Sequence, residues 1–391
     1  MWRNIASNGL TMLILAFAGI AGLIAWGQNR FIAPGPLAEA ICVRVAPGSS
    51  MAALSEDLET RGAVTNGWIF RVGADYTERS SKLKAGSFLI PEQASMDEIV
   101  TAVTRGGAST CGTEIVYRIG VAKAEIQIRE MDPTTGRFSA DTKFVPGEGE
   151  VPKEYTDLVS QSDTRFRVST APGATSWQIV DSLKKADFLS GEISEIPPEG
   201  LLAPDSYEIR AGADRAALLA KMQDAQEKRL ADAWERRADD LPYDTAEEAL
   251  IMASIIEKET GVPDERSLVA SVFINRLRQG MKLQTDPTVI YGVTKGEGIL
   301  GRGLRRSELR EKTPYNTYVI DGLPPTPIAN PGRDAIEAAV NPGESDFVFF
   351  VADGTGGHAF AKTLSEHNAN VQKWRKLEAD RAAEPAEPAA Q

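Results

Sequence analysis

The chain has 391 residues, enough for about two or three domains, and a formal net charge of -12 at neutral pH. This acidic balance argues against nucleic acid as a partner, because nucleic-acid binding normally needs a basic face. Only two histidines and two cysteines are present, and this scarcity disfavours metal sites and Ser-His-Asp hydrolases. We therefore expect no metal and no cofactor. Carboxylates are the candidate proton-transfer groups.

The first predicted element is a membrane-spanning helix over residues 10–26, an uncharged segment with the sequence LTMLILAFAGIAGLIAW. This length is at the short end of what a bilayer requires. Residues 1–9 contain Arg3, as a cytoplasmic flank should. A cleaved signal peptide is the alternative, but the residues after Trp26 do not form a small-x-small cleavage site. We therefore predict a retained single-pass anchor, with the rest of the chain exported.

An internal repeat follows the predicted anchor. Ala46-Pro47-Gly48 begins one unit and Ala171-Pro172-Gly173 begins the other. In each unit, apolar residues six and ten positions after the glycine lie on one face of a helix. Each unit is predicted as strand, helix, second helix or helical turn, strand and helix, which belongs to the α+β fold class. We place the units at 41–110 and 164–240, the second with a long connecting helix.

The segment between the repeats, residues 111–163, is predicted to be a β-rich insert, because it shows strand-like alternation and turn signals. Cys42 and Cys111 each stand at the start of a predicted strand, so pairing of the strands could bring the two sulfurs together. In an oxidising compartment they could form one disulfide. Two independent buried thiols are the alternative.

The last predicted domain, residues 241–375, begins with a buried helix. Thr245 and Glu248 have the spacing of a capping box. Residues 249–256 carry no charge and show no polar stripe, as in a helix that is buried on most sides. The remaining residues, 376–391, end in the low-complexity run AEPAEPAAQ and are predicted to be disordered.

Glu257 directly follows this apolar helix and is the candidate catalytic residue. It shares a helical face with Ser254, a small residue that leaves room for a ligand. Burial disfavours the charged form of a carboxyl and raises its pKa, which prepares the group to act as a general acid. The alternative is a helix-end carboxylate that pairs with Lys258 or with an arginine of the next helix. Glu259 points to another side of the helix and is expected to be structural.

After a second helix, the chain is predicted to be turn-rich and β-like through residue 350, with Pro287 taken as a turn marker. Aromatic and amide side chains in rigid loops suit sugar recognition, since rings stack on pyranose faces and amides bond to hydroxyl and acetamido groups. Turn chemistry is the alternative explanation for many of these residues. The candidate substrate-binding residues are Ser254, Gln284, Thr285, Asp286, Tyr291, Tyr315, Asn316, Tyr318 and Asn330.

Several long segments of this domain resemble a known family. ASIIEKET, VASVFINRL, KLQTDPTVIYG, TPYNTY and FVADGTGGHAF are similar to motifs of the YceG-like endolytic murein transglycosylases. The resemblance is dense from about residue 250 to residue 367 and looser through the repeats, which are similar to the family's LysM-like region. The insert at 111–163 is longer than the usual family pattern, so nothing is carried over to it.

The resemblance implies LysM-like α+β repeat units and a mixed α/β C-terminal catalytic domain. It implies peptidoglycan glycan strands as the substrate and assigns the catalytic acid to the first glutamate of EKET, here Glu257. The implied reaction breaks the β-1,4 bond between N-acetylmuramic acid and N-acetylglucosamine within a strand. The muramic 6-hydroxyl attacks its own anomeric carbon and leaves a 1,6-anhydro end. One carboxyl would act as acid and then as base, because an intramolecular nucleophile already lies near the reacting carbon.

The same resemblance implies a single-pass protein of the inner membrane with its catalytic domain in the periplasm. It also implies peptidoglycan synthases as partners and a role in setting glycan strand length. Two other functions stay open: a non-catalytic, membrane-anchored glycan-binding scaffold for the synthases, and a conventional hydrolase that uses Glu257 and Asp286 as its two carboxylates.

Overall fold

The computed structural model describes residues 2–105, 109–161 and 164–383, in which helices and strands are mixed. The helices are α1 (Trp2–Ile32), α2 (Met51–Thr60), α3 (Gly67–Tyr76), α4 (Met96–Thr104), α5 (Lys153–Val159), α6 (Ser176–Lys185), α7 (Arg215–Glu235), α8 (Ala246–Glu259), α9 (Arg266–Arg278), α10 (Asp286–Thr294), α11 (Arg333–Val340) and α12 (Leu364–Ala383). The strands are β1 (Ile41–Val45), β2 (Gly86–Ile90), β3 (Thr113–Ile119), β4 (Ala124–Met131), β5 (Phe138–Phe144), β6 (Arg165–Thr170), β7 (Leu189–Ser190), β8 (Ser206–Ile209), β9 (Ala213–Asp214), β10 (Phe349–Ala352) and β11 (His358–Ala361).

The chain divides into two compact units, and each has a hydrophobic core of its own. The first unit comprises Met1–Val116, Ile126–Phe144 and Gly149–Arg167. The second comprises Tyr117–Glu125, Val145–Glu148 and Val168–Gln391.

Helix α1 is apolar from Leu10 to Ile32, with a mean hydropathy of 2.1, and this segment is long and apolar enough to cross a membrane. The helix extends beyond the predicted end of the anchor at residue 26. It continues because Phe31 is buried in the core of the first unit, where Gly73 of α3 leaves space for the aromatic ring.

The first repeat unit has the predicted order of elements, β1, α2, α3, β2 and α4. Strands β1 and β2 pair antiparallel, with Val43 opposite Phe88. A capping box of Ser95 and Glu98 begins α4. A disulfide joins Cys42 of β1 to Cys111, and the two Cα atoms lie 6.0 Å apart. Residues 106–108 of the predicted unit lie outside the described residues.

The second repeat unit departs from the predicted order, because α6 is followed by short strands and not by a second helix. Pro197, Pro198 and Pro204 lie in this part of the chain, and proline lacks the backbone N–H that a helix interior uses. The predicted connecting helix is α7. The predicted β-rich insert contains β3, β4, β5 and one unpredicted helix, α5, and a five-stranded sheet has the strand order β5-β4-β3-β6-β8.

Helix α8 lies in the core of the second unit, and α9 and α11 pack against it. The capping box of Thr245 and Glu248 begins α8 as predicted, and residues 249–256 are all buried. Two helices, α10 and α11, occupy the region that was predicted to be turn-rich and β-like. Pro287 stands in the first turn of α10, where a missing N–H breaks no helical hydrogen bond, so this proline begins a helix.

Helix α12 packs on the β10–β11 hairpin and continues to Ala383. It therefore extends past residue 376, the predicted start of the disordered tail. Residues 384–391 of that predicted tail lie outside the described residues.

Candidate active site

Glu257 stands in the last turn of α8, where the buried helix reaches a groove in the second unit. The carboxylate is half-buried, and its Oε2 accepts a hydrogen bond of 2.9 Å from the backbone N–H of Gly332. Burial raises the pKa of Glu257, whereas the Gly332 N–H and the charges of Arg266 and Lys258 act in the opposite direction. The side chain thus has the raised pKa that a general acid requires.

The Glu257 groove has a volume of about 160 Å³. Its lining combines one wall of prolines and glycine with charged side chains of both signs. The lining residues are Pro172, Pro204, Asp205, Arg229, Glu257, Arg266, Gly332, Arg333 and Asp334.

Two arginines of the groove are held by aspartates and not by Glu257. Arg266 forms an ion pair of 3.2 Å with Asp334, and Arg229 forms an ion pair with Asp205. Within the described part of the chain, no cation lies within ion-pair distance of Glu257. The alternative in which Glu257 is a helix-end carboxylate locked to Lys258 or to an arginine therefore does not describe this structure.

The turn that begins the second repeat unit forms part of the site. Gly173 has a φ of +82° and packs against the side chains of Glu257 and Lys258, and Pro172 lies against Gly332. Lys258 Nζ donates a hydrogen bond of 3.3 Å to the Gly173 carbonyl. Burial lowers the pKa of Lys258. The repeat motif was detected in the sequence, but nothing in it indicated that its second copy would lie against Glu257.

Asn330 supports the loop that carries Gly332. The side chain is fully buried, its Nδ2 donates to the Ala174 carbonyl at 3.0 Å, and its Oδ1 accepts from the Leu202 backbone at 2.8 Å. Its Nδ2 also lies 3.2 Å from Glu199, a carboxyl whose pKa is raised by burial. Sequence reasoning missed Glu199, because it follows two prolines in a segment without periodic pattern.

Three other predicted substrate-binding residues are buried with protein partners. Ser254 Oγ donates to the Ile251 carbonyl at 2.7 Å and accepts from the Ile328 backbone at 3.0 Å. Thr285 bonds to Glu259, and Asn316 donates to two backbone carbonyls of the preceding loop. Because these polar groups satisfy buried backbone and side-chain partners, they are not available to a sugar in this structure. In this structure these three residues and Asn330 have structural roles, and their role in substrate binding stays a prediction.

The remaining predicted residues lie nearer the surface but do not line the Glu257 groove. Gln284 is exposed in a left-handed conformation, and Asp286 accepts a hydrogen bond of 2.7 Å from Tyr318. The rings of Tyr291 and Tyr315 are 5.0 Å apart. Their role in binding stays a prediction.

No group of three or more His, Cys, Asp or Glu side chains among residues 2–105, 109–161 and 164–383 has the arrangement of a metal site. The groove itself presents the raised-pKa carboxyl of Glu257, a backbone N–H that orients it, and arginine–aspartate pairs around it.

Comparison with known proteins identifies similar chains. The model of the YceG-like family matches residues 43–373. An endolytic murein transglycosylase of Streptococcus pneumoniae serotype 2 is 28% identical over 338 residues, which cover 85% of this chain and 58% of that protein. The chain thus spans less than two thirds of the length of this relative. An endolytic murein transglycosylase of Bacillus subtilis is 28% identical over 342 residues, covering 85% of this chain and 84% of that protein.

A solved structure is also similar. The 2.6 Å crystal structure of a YceG-like protein from Listeria monocytogenes is 26% identical and has a TM-score of 0.43. The alignment covers 85% of this chain and 99% of that one.

Proposed function

This chain belongs to the YceG-like family, and we propose on that basis that it is an endolytic lytic transglycosylase that cleaves peptidoglycan glycan strands. Its relatives from Streptococcus pneumoniae and Bacillus subtilis are named endolytic murein transglycosylases. The observation that carries the proposal is the position of Glu257, whose raised-pKa carboxyl faces a groove and is oriented by the Gly332 N–H.

Glu257 acts as acid and then as base. Oε2 accepts the hydrogen bond from Gly332, so the mechanism that we propose places the proton on the other oxygen, Oε1. That proton goes to the bridging oxygen as the bond between this oxygen and the muramic anomeric carbon breaks. The muramic 6-hydroxyl then bonds to the anomeric carbon and gives its proton to Glu257. The products are a strand with a new N-acetylglucosamine end and a strand with a 1,6-anhydromuramic end, and the carboxyl regains its starting state.

A conventional hydrolase is the second reaction to consider. It needs a second carboxylate near the first. Asp286 is bonded to Tyr318 and does not line the groove, and the two aspartates that do, Asp205 and Asp334, are paired with arginines. This arrangement favours transglycosylation by one carboxyl over hydrolysis by two.

The wider proposal concerns location and partners. We assign the apolar segment Leu10–Ile32 as a single-pass inner-membrane anchor, with the catalytic domain in the periplasm. There the protein would act beside peptidoglycan synthases and set glycan strand length. The β-α-α-β order of the first repeat unit supports a LysM-like assignment, with glycan binding as its function.

Product analysis tests the reaction. Intact sacculi are digested with the wild-type chain and with Glu257→Gln, and the muropeptides are analysed by mass spectrometry. We expect 1,6-anhydro ends from the wild type and none above background from Glu257→Gln, with glycan binding retained. Glu247→Gln, an exposed glutamate on the same helix, is the matched control and should behave as wild type.

The same experiment separates the alternatives. Products that carry the added mass of water indicate a hydrolase. If the Glu257→Gln chain releases the same products as the wild type, Glu257 is not the catalytic acid. If the wild type binds glycan strands but releases no new ends, the protein is a glycan-binding scaffold.

A further inference from the structure

A second cavity adjoins the Glu257 groove and shares two of its lining residues, Arg229 and Arg333. It lies between α7 and α11 and has a volume of about 320 Å³. We call it the basic pocket. Its lining residues are Ala225, Lys228, Arg229, Asp232, Ala233, Arg236, Arg333, Ile336 and Glu337.

The charge of the basic pocket differs from that of the chain. Four of its lining residues are cationic and two are acidic, whereas the whole chain has a net charge of -12. Arg229 is already paired with Asp205. Arg236 and Glu337 are 3.6 Å apart and both are well exposed, so this contact neutralises little of the charge of Arg236. The positive potential of the pocket thus comes chiefly from Lys228, Arg236 and Arg333. An anionic ligand is therefore favoured at this position of an otherwise acidic protein.

The floor of the basic pocket is apolar. Ala233 and Ile336 are buried, and Ala225 lies beside them on α7. Small apolar side chains between exposed cations suit a peptide that carries methyl groups and free carboxylates. A glycan strand without its stems keeps acetamido methyl groups and the lactyl carboxylate of each muramic residue, but it lacks the alanine methyl groups and the further carboxylates of the stem.

The chemistry of the substrate connects this pocket to the catalytic residue. In the proposed reaction, the muramic residue presents its anomeric carbon to Glu257. The same sugar carries a lactyl group on its 3-oxygen, and the peptide stem of peptidoglycan is attached there. The stem must therefore leave the sugar close to Glu257 and enter a neighbouring space. The basic pocket shares Arg229 and Arg333 with the Glu257 groove, so it is a neighbouring space, and its cationic lining suits the carboxylates of the stem.

We propose that the basic pocket binds the anionic peptide stem of the muramic residue whose bond is cleaved. The preferred substrate is then a stem-bearing glycan strand and not a strand from which the stems have been removed. This inference rests on the proposed transglycosylase function, because that function places a muramic residue at Glu257.

The test uses the full chain in detergent and two substrates: glycan strands with their stems, and the same strands after an amidase has removed the stems. Lys228→Gln combined with Arg236→Gln removes two positive charges from the pocket. Lys221→Gln combined with Arg237→Gln is the matched control. Lys221 is on the same helix, α7, and Arg237 follows its C-terminal end, so the control also removes two positive charges, but neither residue lines the pocket.

We expect the pocket variant to raise KM for stem-bearing strands by about fivefold, as the loss of two exposed charge contacts would. Its kcat should not change, and its KM for stem-free strands should equal that of the wild type. The control variant should match the wild type on both substrates. If the wild type has the same KM for both substrates, or if the pocket variant and the control behave alike, the inference is overturned although the proposed function stands.

A binding measurement keeps the inference testable if no cleavage is seen. Fluorescently labelled free stem peptide is titrated into the Glu257→Gln chain and into the same chain with the pocket substitutions, and anisotropy is recorded. A Kd about fivefold weaker in the pocket variant supports the inference, whereas equal Kd values contradict it. Loss of cleavage on every substrate would instead count against the proposed function.

Discussion

The backbone N–H of Gly332 donates a hydrogen bond of 2.9 Å to Oε2 of Glu257, and the two residues are so close that a side chain on the glycine would meet the carboxylate. A Cβ at position 332 would lie 3.3 Å from that same oxygen and 3.2 Å from Pro172 Cγ. The position of the candidate acid is thus controlled by a residue that has no side chain.

The substitution Gly332→Ala should therefore displace the carboxyl. The backbone at this position has a φ of -73°, which alanine adopts without strain, so the chain should still fold. We expect kcat to fall by about tenfold, because a catalytic group moved by a fraction of an ångström loses its alignment. Gly261→Ala is the control, since no atom lies within 4 Å of a Cβ there. Equal kcat values for the two variants would show that the Gly332 contact does not position the acid.

Lys258 should tune the pH dependence of the reaction. Glu257 must carry its proton to act as the acid, so activity should fall as pH rises through its raised pKa. The positive charge of Lys258 favours the carboxylate form, so Lys258→Met should raise the pKa of Glu257 further and move the alkaline limb of the kcat/KM profile to higher pH. Lys312→Met, at an exposed lysine outside the groove, should leave the limb in place. A shift to lower pH in Lys258→Met would contradict the electrostatic argument.

The stability of the chain should depend on pH with opposite signs at two glutamates. The pKa of Glu257 is raised above the ordinary value of 4.5, chiefly by burial, so the folded state binds its proton more tightly and ionisation costs stability as pH rises above that value. Glu257→Gln cannot ionise, and its Tm relative to the wild type should therefore increase as pH rises from about 4.5 toward neutrality.

Glu308 supplies the opposite case. A hydrogen bond from the Arg302 side chain and another from the Arg305 backbone lower the pKa of Glu308 to about 2. Its stabilising contribution is present above the ordinary pKa and is lost as pH falls toward the lowered one. Glu308→Gln should therefore have a lower Tm than the wild type at neutral pH, and the difference should disappear in acid. Differential scanning fluorimetry across pH measures both variants, and trends of the same sign would refute the assignment.

Asn330 should contribute to stability and not to substrate affinity. Asn330→Ala leaves the buried Leu202 N–H and the Ala174 carbonyl without their side-chain partner. We expect a loss of about 2–3 kcal/mol in the free energy of unfolding, measured by urea titration. Asn368→Ala, on the exposed face of α12, should stay within about 0.5 kcal/mol of the wild type. A raised KM with unchanged stability would instead support the predicted role of Asn330 in substrate binding.

The bond between Cys42 and Cys111 should stabilise the first unit. The two residues are 69 positions apart in the chain. In the chain-entropy description, a cross-link that closes a loop of this size raises the free energy of unfolding by about 4 kcal/mol. Replacement of both cysteines by serine should lower the Tm of the chain purified under oxidising conditions. Peptide mapping without reductant should detect the linked pair, and alkylation of both thiols in the native protein would exclude the bond.

Local signals predicted well the helix that carries Glu257. The capping box at Thr245 and the uncharged run before Glu257 are properties of a short segment, and they indicate a buried helix with a carboxyl at its end. Pro287 was misread for a related reason: proline is excluded from the helix interior but favoured in the first turn, and the sequence around it does not distinguish these positions.

The polar residues around the site could not be assigned from sequence. Asn316 and Asn330 stand in segments with the composition of a sugar-binding loop, but a buried loop needs the same side chains to satisfy its own backbone groups. Ser254 was chosen as a small residue on the helical face of Glu257, and in the folded chain its hydroxyl bonds to backbone groups. The charged part of the groove was missed because Asp205, Arg229 and Asp334 come from segments that are distant in sequence and meet only in the folded chain.

The burial of Phe31 has a mechanical consequence for the proposed anchor. The apolar helix enters the core of the first unit without an intervening flexible linker. The connection between the proposed anchor and this unit is therefore rigid. Its height above the bilayer is then a fixed dimension of the protein. Any glycan strand that the first unit binds would then be held at a set distance from the membrane surface.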